Sequence, residues 1–292
     1  MDRIDRLTLS LIVRLLRIQK LPPFSYNLRS LFVRWSSTLL TVVGIGATVA
    51  VLSGVLALQQ GFSRLYTENG RADVALFLRP GATSEGESAI MREQAQILIK
   101  ETPEIARDAE GRALAAGEIY LALRQRKVDG GETNVAIRGV QPPSFVIAGV
   151  EVVEGRAFNP GNDEVVVGES LVGRIRGCEL GADIQINTSP FKVVGIFRCP
   201  GPASSEIWGD VDRMGPILER KNFSRVVAKL DSAKDVAVVA ERLDGDKRTP
   251  AKVISEREYL TGQTAALSWV LWILGTFLAA VMGAAAVFSG MN

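Results

Sequence analysis

The chain has 292 residues, and its 34 Lys+Arg against 32 Asp+Glu leave a formal net charge of +2, too balanced to suggest a nucleic-acid partner. Histidine is absent and there are two cysteines, which excludes Ser-His-Asp and Cys-His nucleophilic centres, imidazole acid–base chemistry and the common zinc sites. A hydrophobic content of 47% is high for a soluble domain with this many charges, so membrane-spanning segments are expected.

Residues 1–35 hold seven basic and two acidic side chains. Ile4, Leu7, Leu11, Leu15 and Ile18 recur at helical spacing, with Arg3, Arg6, Arg14 and Arg17 gathered on the opposite side. Such a basic amphipathic helix lies on anionic membrane lipid or binds a cytoplasmic partner, and Pro22-Pro23 ends it. No charge then occurs between Arg34 and Arg64, so residues 36–62 are expected to form a first transmembrane helix. This run is longer than the core of a cleaved signal peptide, and the basic flank before it places the N-terminus in the cytoplasm. Gly46, Ala50 and Gly54 recur at steps of four, a small-residue ridge suited to close helix packing.

Residues 64–258 carry 27 basic and 30 acidic side chains and are expected outside the cytoplasm. Ala72–Leu78 reads as a strand, and Ser84 with Glu87 as a capping box opening a helix that runs through Lys100. From residue 116 to 215 short strand-like runs follow one another (EIYLALRQRKV, TNVAIRGV, EVVVG, ADIQI, FKVVGIF), a mainly β insert. Ser224–Leu230 is a further strand, Val236, Val239, Ala240 and Leu243 mark an amphipathic helix, and AKVIS is another strand. The clearest hairpin is ADIQINTSPFKVVGIF. Pairing Asn187 with Pro190 sets Cys178 opposite Cys199, so these two form either a disulfide, given an oxidising compartment, or two separate thiols. The acidic pairs Asp163–Glu164 and Asp210–Asp212 are assigned no metal, and no cofactor site or P-loop motif is present.

After Glu258 the chain carries no charge to its end. Residues 266–292 are expected to form a second transmembrane helix, with Trp269 and Trp272 at its start as interfacial rings and Tyr259 just outside. Gly275, Ala279 and Gly283 repeat the small-residue ridge. Neither span contains an ionisable group, which argues against a proton or ion path through them.

YNLRSLFVRWSSTLLTVVGIGATVAVLSGVLAL and ADVALFLRPGAT, followed by TNVAIRGVQPPSF, EVVEGRAFNPGNDEVVVGESLVGRI, LGADIQI and FKVVGIF, resemble the permeases of MacB- and FtsX-type ABC transporters. The resemblance implies an α+β membrane protein whose two transmembrane helices flank an extracytoplasmic core domain at 63–265. That domain would comprise a porter-like part at 63–115 and 216–258 and a β-rich, sabre-like part at 116–215. It implies a bacterial plasma-membrane subunit that does no chemistry itself and moves with a separate ABC-type ATPase in export or release of an envelope substrate. It further implies a homodimer or heterodimer of permeases, with a periplasmic adaptor in some members. Against a four-helix family pattern the chain reads as truncated after its second span. The alternative is a two-span receptor or scaffold whose outer domain binds a ligand without an ATPase.

Overall fold

The computed structural model describes residues 33, 35–67 and 70–291, so the basic face of Arg3, Arg6, Arg14 and Arg17 lies outside the described residues. The chain divides into one unit, residues 1–58 with 270–292, whose described residues are helical, and a second, residues 59–269, which holds a mixed α/β domain.

Two long helices flank the domain in sequence: α1 (Trp35–Thr67) and, at the other end, α6 (Glu256–Met291). Their apolar stretches, Thr41–Gly61 and Glu256–Ala285, are long enough to cross a bilayer; 21 residues at about 1.5 Å each match a ~30 Å hydrocarbon core. Val42, Val49, Trp269, Phe277 and Phe288 are exposed along them, the surface expected where lipid or another helix replaces water. Helix α6 begins at Glu256, ten residues before the expected start of its span. Ser255 accepts a hydrogen bond from the Glu258 amide (3.1 Å), and nothing between there and Trp269 breaks the helix.

The domain is built on one ten-stranded sheet. β1 (Val74–Leu78), α2 (Arg92–Lys100) and β2 (Ala115–Arg126) form one βαβ unit, and β9 (Arg225–Lys229), α5 (Asp235–Asp244) and β10 (Lys252–Ser255) form another. Their strands lie side by side in the order β10-β1-β9-β2 with antiparallel neighbours, the split-βαβ arrangement of ferredoxin-like folds. Between the two units come β3 (Glu132–Val140), α3 (Pro143–Ala148), β4 (Glu151–Gly155), β5 (Glu164–Gly168), β6 (Asp183–Ile186), β7 (Ser189–Arg198), β8 (Glu206–Asp210) and α4 (Val211–Ile217). These strands extend the sheet as β3-β8-β5-β7-β4, with β6 on β7. The joint is β2: Ala115–Glu118 pair with β9, and Ile119–Arg126 with β3.

Strand alternation accounts for the core. On β1, Ala75 and Phe77 point into the cluster that holds Leu98, Ile119, Ile137, Val226 and Val239, while Val74, Leu76 and Leu78 meet Ile147, Val227 and Tyr259 on the other face. Burial on both sides explains why this strand reads as nearly continuous apolar sequence. Tyr259, expected near the membrane surface, is a core residue instead: it is 8% exposed, and its hydroxyl oxygen accepts a hydrogen bond from the Glu85 amide (3.2 Å).

Two local expectations are corrected. The expected capping box does not open a helix, because Ile90 and Phe223 exchange backbone hydrogen bonds of 2.8 and 2.9 Å. That bridge holds the chain extended, so α2 starts only at Arg92. In the β6–β7 hairpin Ile186 pairs with Ser189, and Asn187-Thr188 form a two-residue turn with Asn187 at φ 53°. Asn tolerates this left-handed conformation better than the β-branched Thr188, which would hold the same place in the expected turn, and this moves the register from the expected Asn187–Pro190 pairing.

Candidate functional site

Charged side chains occur inside four apolar strands, and the register brings them together. Arg138 on β3 faces Tyr120 on β2 and Trp208 on β8, and Glu118 on β2 faces Arg225 on β9. Glu206 lies two residues from Trp208, on the same face of β8. The loop after β1 delivers Glu85. The Arg138 guanidinium donates to Glu206 through Nε (2.8 Å) and Nη2 (2.9 Å), to Glu85 (2.6 Å) and to Glu118 (3.1 Å). Arg225 donates to Glu118 at 2.8 Å, and Trp208 Nε1 donates to Glu206 at 2.7 Å. The guanidinium of Arg138 also lies over the Tyr120 ring, 5.1 Å from its centroid.

The side chains of Arg138 and Glu118 are 4% and 2% exposed. Burial alone pushes the Glu85 carboxyl up, but Arg138 and Arg225 outweigh it and hold that carboxyl at about 2. Burial likewise disfavours the Arg138 cation, and Glu206 and Glu85 outweigh it, so its pKa lies well above the ordinary value. Glu85 and Arg138 are therefore both charged at neutral pH. Low dielectric and fixed geometry make such a network rigid, and leave any unpaired member costly.

The cluster is tied to both chain segments that enter and leave the domain. Just before β1, Arg71 forms an ion pair with Asp73 (2.7 Å) and donates to the Ile147 carbonyl (2.9 Å), and its amide donates to Glu256 (3.1 Å). Arg257 donates from Nε to the Gly70 carbonyl (3.1 Å). A Cβ on Gly70 would lie 2.7 Å from the Arg257 Cα, so only glycine allows this approach. Between these contacts and the cluster is a cavity of about 110 Å³ lined by Arg71, Glu85, Arg138, Glu206, Arg225 and Glu256.

The residues singled out from sequence lie elsewhere. Gly275 packs against α1, and a Cβ there would sit 3.1 Å from Val55 Cγ1. Among the described residues, Gly46, Gly54 and Gly283 have nothing within 4 Å of an added Cβ; Ala50 is exposed and Ala279 half-buried. Cys178 and Cys199 are free thiols in separate clusters of the core, each pushed up to about 12, chiefly by burial. With the hairpin register moved, the pairing that set them opposite one another is gone. Asp163 pairs with Arg213 and Asp212 with Arg92; Glu164 pairs with Arg156. The ionic cluster was not singled out, although each member is a charge within an apolar strand or beside one. The alternation that would have exposed it depends on the partner strands, which are far apart in sequence.

Residues 38–245 match the family model described as MacB-like periplasmic core domain. No curated protein matches the chain. Among solved structures, the extracellular domain of the noncanonic ABC-type transporter YknZ from Gram-positive bacteria is 15% identical and covers 62% of this chain and 99% of its own, with a TM-score of 0.46. The periplasmic region of MacB from Actinobacillus actinomycetemcomitans is 11% identical and covers 65% of this chain and 92% of its own, with a TM-score of 0.49. The family match alone spans most of the chain, including the strands that build the ionic cluster: the protein belongs to the MacB-like periplasmic core domain family and carries the extracytoplasmic domain of a MacB/FtsX-like permease.

Proposed function

We propose that the chain is a permease subunit of an ABC transporter that passes motion from a cytoplasmic ATPase into its extracytoplasmic domain, for export or release of an envelope substrate. The N-terminus is then cytoplasmic, residues 64–258 lie outside, and the subunit works as a dimer of permeases. The split-βαβ half of the sheet corresponds to the porter part and the β3–β8 half to the sabre part.

The observation that carries this reading is the linkage of the domain's two entry segments. Gly70–Asp73 and Glu256–Tyr259 are bonded to each other and to the loop of Glu85, and Glu85 is bonded to Arg138 across the joint strand β2. A displacement of either segment therefore enters, through the Glu85 loop, a charged network spanning β9, β2, β3 and β8.

Purification of the full chain from its native membranes, followed by limited proteolysis with and without a non-hydrolysable ATP analogue, tests the proposal. A co-purifying P-loop ATPase and a nucleotide-dependent change in cleavage of the outer domain are expected. A chain that purifies without an ATPase and is cleaved identically in both conditions overturns it, in favour of a receptor or scaffold.

A further inference from the structure

Many arginines in the domain are matched by carboxylates: Arg156 with Glu164, Arg198 with Glu169, Arg213 with Asp163 and Arg242 with Glu104. Others form no such pair among the described residues, Arg79, Arg107, Arg220 and Arg257 included, and one region gathers several such cations side by side. Arg124 and Arg126 near the end of β2, Lys127 after it, and Arg174 and Arg176 in the segment beside it form no ion pair among the described residues. Arg126 faces Glu132 across the β2–β3 ladder, and still no ion pair forms between them.

The backbone holding these cations is fixed. Lys127 and Ile175 form an antiparallel bridge, the Arg176 amide donates to the Arg126 carbonyl (2.9 Å), and the Val128 amide donates to the Arg174 carbonyl (3.0 Å). Arg176 Nε donates to the Lys127 carbonyl (3.1 Å), which orients its remaining donors. Arg124 and Arg126 share one face of β2, roughly 7 Å apart along the strand. They and Arg176 line a hollow of about 680 Å³ together with Glu132, Asp183 and Gln185. Arg126 and Arg176 also line an adjoining hollow of about 230 Å³.

Apart from Leu123 and Gly177, the lining is made of guanidiniums, carboxylates and carboxamides, with no aromatic ring. Guanidiniums recognise phosphate, sulfate or carboxylate groups with paired N–H donors. Carboxylates beside them repel a purely anionic ligand but accept hydrogen bonds from hydroxyls. We propose that this hollow binds an anionic carbohydrate, its acidic groups on Arg124, Arg126 and Arg176 and its hydroxyls on Glu132, Asp183 and Gln185. A polyanion without hydroxyls, or an acidic protein surface, uses only half of the lining. With no stacking platform the binding rests on charge, and it weakens as salt rises.

The test uses the full chain in detergent at low salt and four polyanionic probes compared per unit of negative charge: a sulfated heparin oligosaccharide, a hexagalacturonate, a short polyphosphate and hexa-aspartate. Titration should show both saccharides binding more tightly than the two probes without sugar. The Arg124→Ala/Arg126→Ala double variant should lose about tenfold in saccharide affinity, while Arg79→Ala/Arg248→Ala, which removes the same charge elsewhere, should not. Preference for one saccharide distinguishes a sulfate- or phosphate-like group from a uronic carboxylate. The proposal is overturned if neither saccharide binds, if polyphosphate or hexa-aspartate binds as well as the saccharides, or if the Arg124→Ala/Arg126→Ala variant binds like the parent. Both substituted positions are exposed strand sites, and an unchanged melting temperature confirms that a lost affinity is not lost folding.

Discussion

At the scale of single residues, Arg138 has the most partners to lose. It is bonded to three carboxylates, so Arg138→Met leaves Glu85, Glu118 and Glu206 short of their counter-ion in a buried place. A loss of about 3–5 kcal/mol is expected, measured by urea unfolding of the detergent-solubilised chain. Arg138→Lys should fall between the two, because an ammonium cannot make the parallel bonds to Glu206 and Glu85 at once. The cluster also sets the acid response. Glu85 is held at about 2 against an ordinary 4.5, so between those values the unfolded chain binds more protons than the folded one and stability rises with pH. Its contribution is complete above pH 4.5 and is lost as the pH falls toward 2. Melting temperatures across that window should drop more steeply in the parent than in Glu85→Gln, which starts less stable and has no proton to take up at that position. The individual charges could be picked out in the sequence, Arg138 within NVAIRGV for instance. Their partnership could not, because Glu85 and Glu206 are brought to it by a loop and a strand far away in the chain.

At the scale of elements, most strands and the helix α5 are legible because their apolar periods are clean: Val236, Val239 and Leu243 are the buried face of α5. The short strands β4 and β8 are not, since β4 is largely exposed and β8 (EIWGD) holds a charge at each end. Nor are starts and registers. The residues Ser84 to Glu87 have helix-opening chemistry, but Ile90 is drawn into a bridge with Phe223, and Glu87 instead accepts a hydrogen bond from the Thr83 hydroxyl (2.8 Å). The β6–β7 turn was misplaced by one residue, which moved the pairing by two. In the helical unit the two glycine ridges also separate. Gly275 lies against Val55 and Leu52, whereas a Cβ added at Gly46 meets nothing within 4 Å among the described residues. Gly275→Leu is therefore expected to push α1 and α6 apart and lower the melting temperature in detergent by several degrees. Gly46→Leu should leave that temperature unchanged and alter only cross-linking between copies of the chain, consistent with a ridge that packs on another helix.

At the scale of the whole molecule, the two βαβ units lie about a hundred residues apart in sequence yet form adjacent strands of one sheet, with an insert that grows out of β2. The order of apolar spans, the mixed α/β character and the family were determined by the sequence itself, because twenty-residue apolar runs and strand or helix periods are local signals that water and lipid act on directly. Tertiary structure decided what is non-local. It made β2 a strand shared by two halves of the sheet, and it gathered Glu85, Glu118, Arg138, Glu206 and Arg225 into one buried network. It placed Tyr259 in the core, parted the two cysteines, and left the cations at 124, 126, 174 and 176 unmatched on one rigid surface. Each of these depends on which strand lies beside which, and that is set by packing and loop closure over distances that no period in the sequence reports.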